Sequence, residues 1–148
     1  MSLSTFNAET AENSEDIEKQ FAVVAVEQAE TYWKLISKIP GSRLKLTSYD
    51  DEIFDELIKH FPEFEDPNYV KVINENDLKN NVAKNKWRNY LKLFEKKIED
   101  YNFGTLMRIS SDGEYDQEGT IFVLRLQFYA IEICRNRYGL NDWIVKKN

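Results

Sequence analysis

Residues 120–137, Thr-Ile-Phe-Val-Leu-Arg-Leu-Gln-Phe-Tyr-Ala-Ile-Glu-Ile-Cys-Arg-Asn-Arg, leave the rest of this chain little choice, because no other stretch is so uniformly apolar. At helical spacing Phe122, Leu126, Tyr129 and Ile133 fall on one face, and Ile121, Leu124, Phe128 and Ile131 on a second. A helix with two apolar faces needs neighbours on most of its sides. Gly139 supplies a stop that tolerates positive φ, with Leu140 placed to fold back on the last turn. The start is ambiguous, since Phe122, Leu124 and Leu126 also alternate against Arg125 and Gln127 as in a strand. Length and the stop signal favour a helix from about Val123.

Arg125, Gln127 and Glu132 are polar side chains set within the apolar run of that segment. Buried polar groups need partners. Arg125 and Glu132 are seven residues apart with Tyr129 between them, so they share a helical face. A structural hydrogen-bond network joining helices is the preferred reading over a catalytic pair.

The remaining pattern predicts a mainly α fold, a single-domain multihelical bundle around this buried C-terminal helix, with room for one short β-hairpin near 105–123. Residues 1–12 are expected to be a flexible arm and 13–148 one helical domain. A first helix starts at an Asn13 or Ser14 cap and carries an apolar stripe through Phe21, Val24, Tyr32 and Leu35 before Pro40-Gly41 ends it. A second is capped by Thr47 or Ser48, opens with Asp50, Asp51 and Glu52, and stops before Pro62. Residues 62–75 look irregular, with Asn74 and Asp77 marking a brief helix. Trp87, Leu91, Phe94, Ile98 and Tyr101 repeat at four, three, four, three, the cleanest amphipathic spacing present. The 105–109 segment is a candidate strand, and 110–119 a polar loop around Asp112-Gly113.

With 148 residues the chain is large enough to bury about 70% of its unfolded surface without a metal or disulfide staple. The net charge of −6 argues against a general nucleic-acid binder. Charge is split locally, however: Lys79, Lys84, Lys86, Arg88, Lys92, Lys96 and Lys97 face only Glu95, while 48–66 is acidic apart from Lys59. Cys134 is the only cysteine, so no intrachain disulfide exists, as suits a reducing compartment. The 120–137 run is too short and too charged for a membrane span.

Toolkits for covalent chemistry are sparse. The five glycines, Gly41, Gly104, Gly113, Gly119 and Gly139, are too scattered for a phosphate or adenosyl loop. Asp112, Glu114, Asp116 and Glu118 alternate like calcium ligands, yet Gln117 and Val123 stand where a glycine and a bidentate acid are needed. His60 has no second ligand nearby, and Cys134 reads as a small buried hydrophobe. The sequence therefore predicts no catalytic residue, no cofactor and no metal, and places function on surfaces. Candidate partner-binding residues are Glu27 and Glu30 on the first helix, Asp50, Asp51, Asp55 and Glu56 on the second, and Asn141, Asp142 and Trp143 near the end.

Three motifs add a resemblance. The runs Lys-Ile-Glu-Asp-Tyr-Asn-Phe-Gly-Thr-Leu at 97–106, Arg-Leu-Gln-Phe-Tyr-Ala-Ile-Glu-Ile at 125–133 and Gly-Leu-Asn-Asp-Trp at 139–143 are similar to the polysaccharide biosynthesis domain-containing family of small eukaryotic proteins. The first helix around 20–33 resembles the fungal members. The resemblance implies a cytoplasmic, and in part nuclear, monomeric helical domain that binds neither membrane nor nucleic acid directly. It further implies a dedicated chaperone for newly synthesised translation elongation factor 1-alpha, working with the nascent polypeptide-associated complex. Plant relatives that share the domain name are xylan methyltransferases, so an enzyme or enzyme remnant of polysaccharide biosynthesis is the alternative, followed by a general interaction scaffold. This chain lacks the glycine-rich cofactor loop such an enzyme needs.

Overall fold

The ambiguity at the start of the apolar stretch resolves into a strand followed at once by a helix. In a computed structural model that describes residues 14–147, with side chains described from Ala22 onward, Thr120–Leu124 is extended and the helix begins at Arg125. The expectation of helix from Val123 is thus corrected by two residues. A reason is visible at the junction: Gln127 Oε1 accepts the Leu124 N–H at 2.9 Å, which caps the helix there and holds Leu124 extended.

The order of elements is α1 (Ser14–Lys38), a 3-10 turn (Gly41–Arg43), α2 (Asp50–His60), a second 3-10 turn (Pro62–Glu65), α3 (Pro67–Lys71), α4 (Glu75–Lys79), α5 (Asn81–Lys92), β1 (Gly104–Arg108), β2 (Thr120–Leu124), α6 (Arg125–Arg137) and α7 (Trp143–Lys147). The fold is mainly helical with one two-stranded antiparallel sheet, in which Leu106 faces Phe122 and Met107 faces Ile121. The predicted arm at 1–12 and the Asn13 cap lie outside the described residues.

Ten of the thirteen residues of α6 are buried, and it packs against α2, α3 and the hairpin. Its end is built as the sequence indicates. Gly139 has φ +73°, Gly139 N–H reaches Asn136 C=O, and Leu140 N–H reaches Arg135 C=O at 2.8 Å, so orphan carbonyls of the last turn are satisfied.

A second cluster, aromatic rather than aliphatic, joins α2, the turn after it and α5. Phe61 stacks on Trp87 with centroids 4.3 Å apart, Phe64 and Tyr90 meet them edge-on, and the Tyr90 hydroxyl donates to Ile53 C=O at 2.7 Å. Here a further expectation is corrected. The 87–101 spacing suggests one long helix, but regular α-helix ends at Lys92 and the chain continues as turns. Phe94 N–H reaches Leu91 C=O and Lys97 N–H reaches Phe94 C=O, a tighter i→i+3 winding, and Asp100 takes positive φ. Trp87, Leu91, Phe94 and Ile98 are nonetheless all buried, so the spacing reported the inward face correctly and the winding wrongly.

The cap of α2 also differs. Tyr49 occupies the cap position without a side-chain bond, while Asp50 turns back so that its carboxylate accepts the N–H groups of Leu46 and Thr47, each at 2.7 Å, and the Thr47 hydroxyl at 2.8 Å. Thr47 Oγ1 in turn accepts the Tyr49 N–H. The "irregular" 62–75 segment contains the second 3-10 turn and α3, the latter capped by Asp66. Asn74 caps α4 as its sequence indicates.

Candidate docking grooves

Glu132 is the centre of an ionic network with no solvent access. Its Oε1 accepts from Tyr32 (2.8 Å), Arg108 (3.2 Å) and Asn141 (3.2 Å), and its Oε2 from Arg135 (3.0 Å). Both guanidinium groups are fully buried and also donate to carbonyls, Arg108 to Ser111 and Gly113 and Arg135 to Val70, Arg108 and Ile109, while Arg108 Nε has no hydrogen-bond partner among the described residues. Burial alone would raise the Glu132 carboxyl, but the Arg108 and Arg135 charges and the hydrogen bonds outweigh it and hold it below the usual carboxylate range. Tyr32 is pushed well above its ordinary value by burial and then by the neighbouring Glu132.

The network is the structural link expected for Glu132, with different partners. Arg125 does not join it; its Nε donates to the Tyr129 hydroxyl at 3.0 Å, half-buried at the near end of α6. The missing partner is Arg108, from β1, and no spacing within one helix could have indicated it. The Glu132–Arg135 contact was legible as an i, i+3 pair.

The nine residues proposed for partner binding divide sharply. Asn141 is fully buried, donating to Glu132 and Asn136 and accepting from Arg108. Asp142 accepts the Ser42 N–H and hydroxyl. Trp143, expected at the surface, is half-buried with its indole N–H on Ser111 C=O at 2.9 Å and its ring edge-on to Trp33. Asp50 is buried by the bonds described above. Asp51 and Asp55 are exposed and Glu56 half-buried along α2, with Asp51 paired to Arg137. Glu27 and Glu30 are exposed on α1.

Those two glutamates border two grooves along α1. One groove of about 620 Å³ runs between α1 and the hairpin, floored by Val26, Ala29, Trp33, Leu106 and Phe122 and edged by Glu30 and Asp116. A second, of about 450 Å³, lies on the other side of α1, where Glu27, Leu35, Phe128 and Tyr129 line it. The surface between and beside them is apolar, with Val23 56%, Val24 50% and Phe122 51% exposed. Large side chains clustered on an open face mark interaction sites more often than scattered ones do. Sequence reasoning placed Val24 and Leu35 in a core stripe and missed this face; the tell-tale was Val23, Val24 and Val26 together, apolar residues spread over more of the helix than one buried side can hold.

Cys134 is buried in α6, where burial pushes its thiol up to about 12. Among the described residues no group of three histidine, cysteine or acidic side chains is arranged to hold a metal.

Fold and surface together define a small, mainly helical protein with a buried ionic centre and an open apolar face astride its first helix. The chain belongs to the PBDC1 protein family, whose pattern it matches over residues 17–146. It is 63% identical over 143 residues to the PBDC1 homolog of Saccharomyces cerevisiae, covering 97% of this chain and 98% of that one, and 59% identical over 140 residues to the Schizosaccharomyces pombe homolog, covering 95% of each. Against human PBDC1 it is 43% identical over 134 residues, 90% of this chain and 56% of the human protein. A solution NMR structure of a Saccharomyces cerevisiae protein superposes with a TM-score of 0.85 at 62% identity, covering 99% of this chain and all of that one.

Proposed function

We propose that this protein is a non-enzymatic assembly factor that holds newly synthesised translation elongation factor 1-alpha while that client completes its fold, in the cytoplasm and in part the nucleus. The client and its supply through the nascent polypeptide-associated complex come from the family resemblance. The observation that carries the mode of action is the open apolar face of α1 and the hairpin, where Val23, Val24 and Phe122 lie half uncovered and Glu27 and Glu30 line the adjoining grooves. Apolar area of this kind binds a client whose own core is unfinished, and the acidic border favours a basic one by speeding encounter and steering orientation. Release follows when the finished client no longer presents the matching surface, since a binder shifts an equilibrium only by its differential affinity for the two states.

The test is capture during synthesis. The tagged full chain is added to a translation extract making elongation factor 1-alpha, and bound nascent protein is quantified. The wild type captures it, and the double variant Val23→Asp/Val26→Asp does not. A captured set without the elongation factor overturns the reading.

A further inference from the structure

One edge of the hairpin has no strand partner among the described residues. In the sheet β2 pairs only with β1. The bonds that flank it, Arg125 N–H to Phe103 C=O and Ile109 N–H to Gly119 C=O, set the alternation: Val123 and Ile121 exchange bonds with β1, and the backbone groups of Phe122 point away from it. Leu124 obeys the same rule, its N–H going outward to Gln127.

An open edge is ordinarily blunted by a lysine, a proline or a bulge, because it templates pairing with other chains. β2 has none of these. Its sequence, Thr-Ile-Phe-Val-Leu, is uncharged and of high strand propensity, and Phe122 is half exposed.

We propose that the outer edge of β2 accepts an extended segment of the partner protein as a third strand, with lysine or arginine alternating with apolar residues. It rests on the docking role proposed above and specifies how the partner is held. Backbone bonds to Phe122 provide the attachment; the basic side chains of the added strand share the Phe122 face, their stems over the groove beside Val26 and Trp33 and their charges toward Glu30 and Asp116, while its apolar side chains continue the Ile121 and Val123 face. The charge of the site selects the sequence. Glu30, Asp116 and Glu118 carry no ion pair among the described residues, Glu114 is paired with Lys147, and Lys34 is the cation lining the groove. A segment with basic residues is drawn to this border and an acidic one is repelled. Gln127 already holds the Leu124 amide, so the added strand registers on Thr120 and Phe122 and not beyond.

The probe is a capped heptapeptide of alternating lysine and valine, with a glutamate–valine heptapeptide as its charge control, added to the full chain. Hydrogen exchange of the Phe122 amide slows with the lysine peptide and is unaffected by the glutamate peptide. Phe122→Pro deletes the outward donor without breaking a bond to β1, as edge positions allow, and weakens binding by about tenfold or more. Phe122→Ile keeps the donor and binds within about threefold of wild type. An unchanged Phe122 exchange rate at saturating peptide, which needs no variant, overturns the proposal, as does sedimentation showing that a second copy covers this edge. If Phe122→Pro still captures nascent elongation factor 1-alpha at full strength, the strand mode fails and the chaperone reading stands. If the peptide protects Phe122 and no elongation factor is captured, the reverse holds.

Discussion

The two halves of this molecule invert the usual placement of residue types. Around α6 the interior holds two arginines, a glutamate and two asparagines joined in one hydrogen-bonded network; across α1 and the hairpin the exterior carries half-exposed valines and a phenylalanine. Charge has been taken inside where it fixes geometry, and apolar area left outside where it is available to another chain. A buried ion pair is weak evidence for net stability, but removing one partner is costly because the other charge is left buried and unpaired. The exposed valines have the opposite property: they contribute little to the isolated fold and can be changed cheaply.

This contrast is broken hardest at Glu132. Glu132→Gln leaves Arg108 and Arg135 without a counter-charge and is expected to cost about 3–5 kcal/mol in urea unfolding. Because the folded carboxyl is held below its unfolded value, its contribution is present above the ordinary carboxylate range and is lost as pH falls through the folded pKa. The wild type therefore loses stability on acidification, and the variant shows a shallower acid slope. If both curves coincide, the network is not the source of acid sensitivity. Next in size is Gly41→Ala. A Cβ there would clash with Asn136 Oδ1 in the buried network, so the variant is expected to lose about 1–3 kcal/mol by calorimetry. Asp50→Ala removes three accepted hydrogen bonds ahead of α2 and is expected to cost about 1 kcal/mol. At the bottom of the scale, Val23→Asp/Val26→Asp should leave unfolding within about 0.5 kcal/mol of wild type. A large stability loss there would mean that this face is part of the fold and not a surface for others. Reversing Asp51, Asp55 and Glu56 to lysine should likewise spare stability while altering the salt dependence of client capture; unchanged salt dependence removes α2 from the electrostatic account.

How much of this was legible in advance follows from what each signal measures. The Gly139 stop, the Asn74 cap and the apolar face of 87–98 were readable because each depends on residues within a turn or two of one another. The winding after Lys92 was not, because apolar spacing reports which side chains face inward and is silent on which carbonyl each amide reaches. The start of α6 was balanced between two periodicities and was decided by one side chain, Gln127, reaching back to the Leu124 amide. At the site, Glu27 and Glu30 were placed on the right helix, whereas Asn141 and Trp143 were judged by their nearness to the chain end and prove to be packed against β1, the following loop and α1. Arg108 escaped notice because its partners lie on other elements, up to 33 residues away.

Arg135 gathers carbonyls from Val70 and from Arg108 and Ile109, segments 65 and 26 residues earlier in the chain. Such ties between distant stretches form slowly, since loop closure comes before any return from the contact. During vectorial synthesis the guanidinium that knots these segments together follows all of them out of the exit tunnel, so the first hundred residues emerge without the clasp that will finally join them.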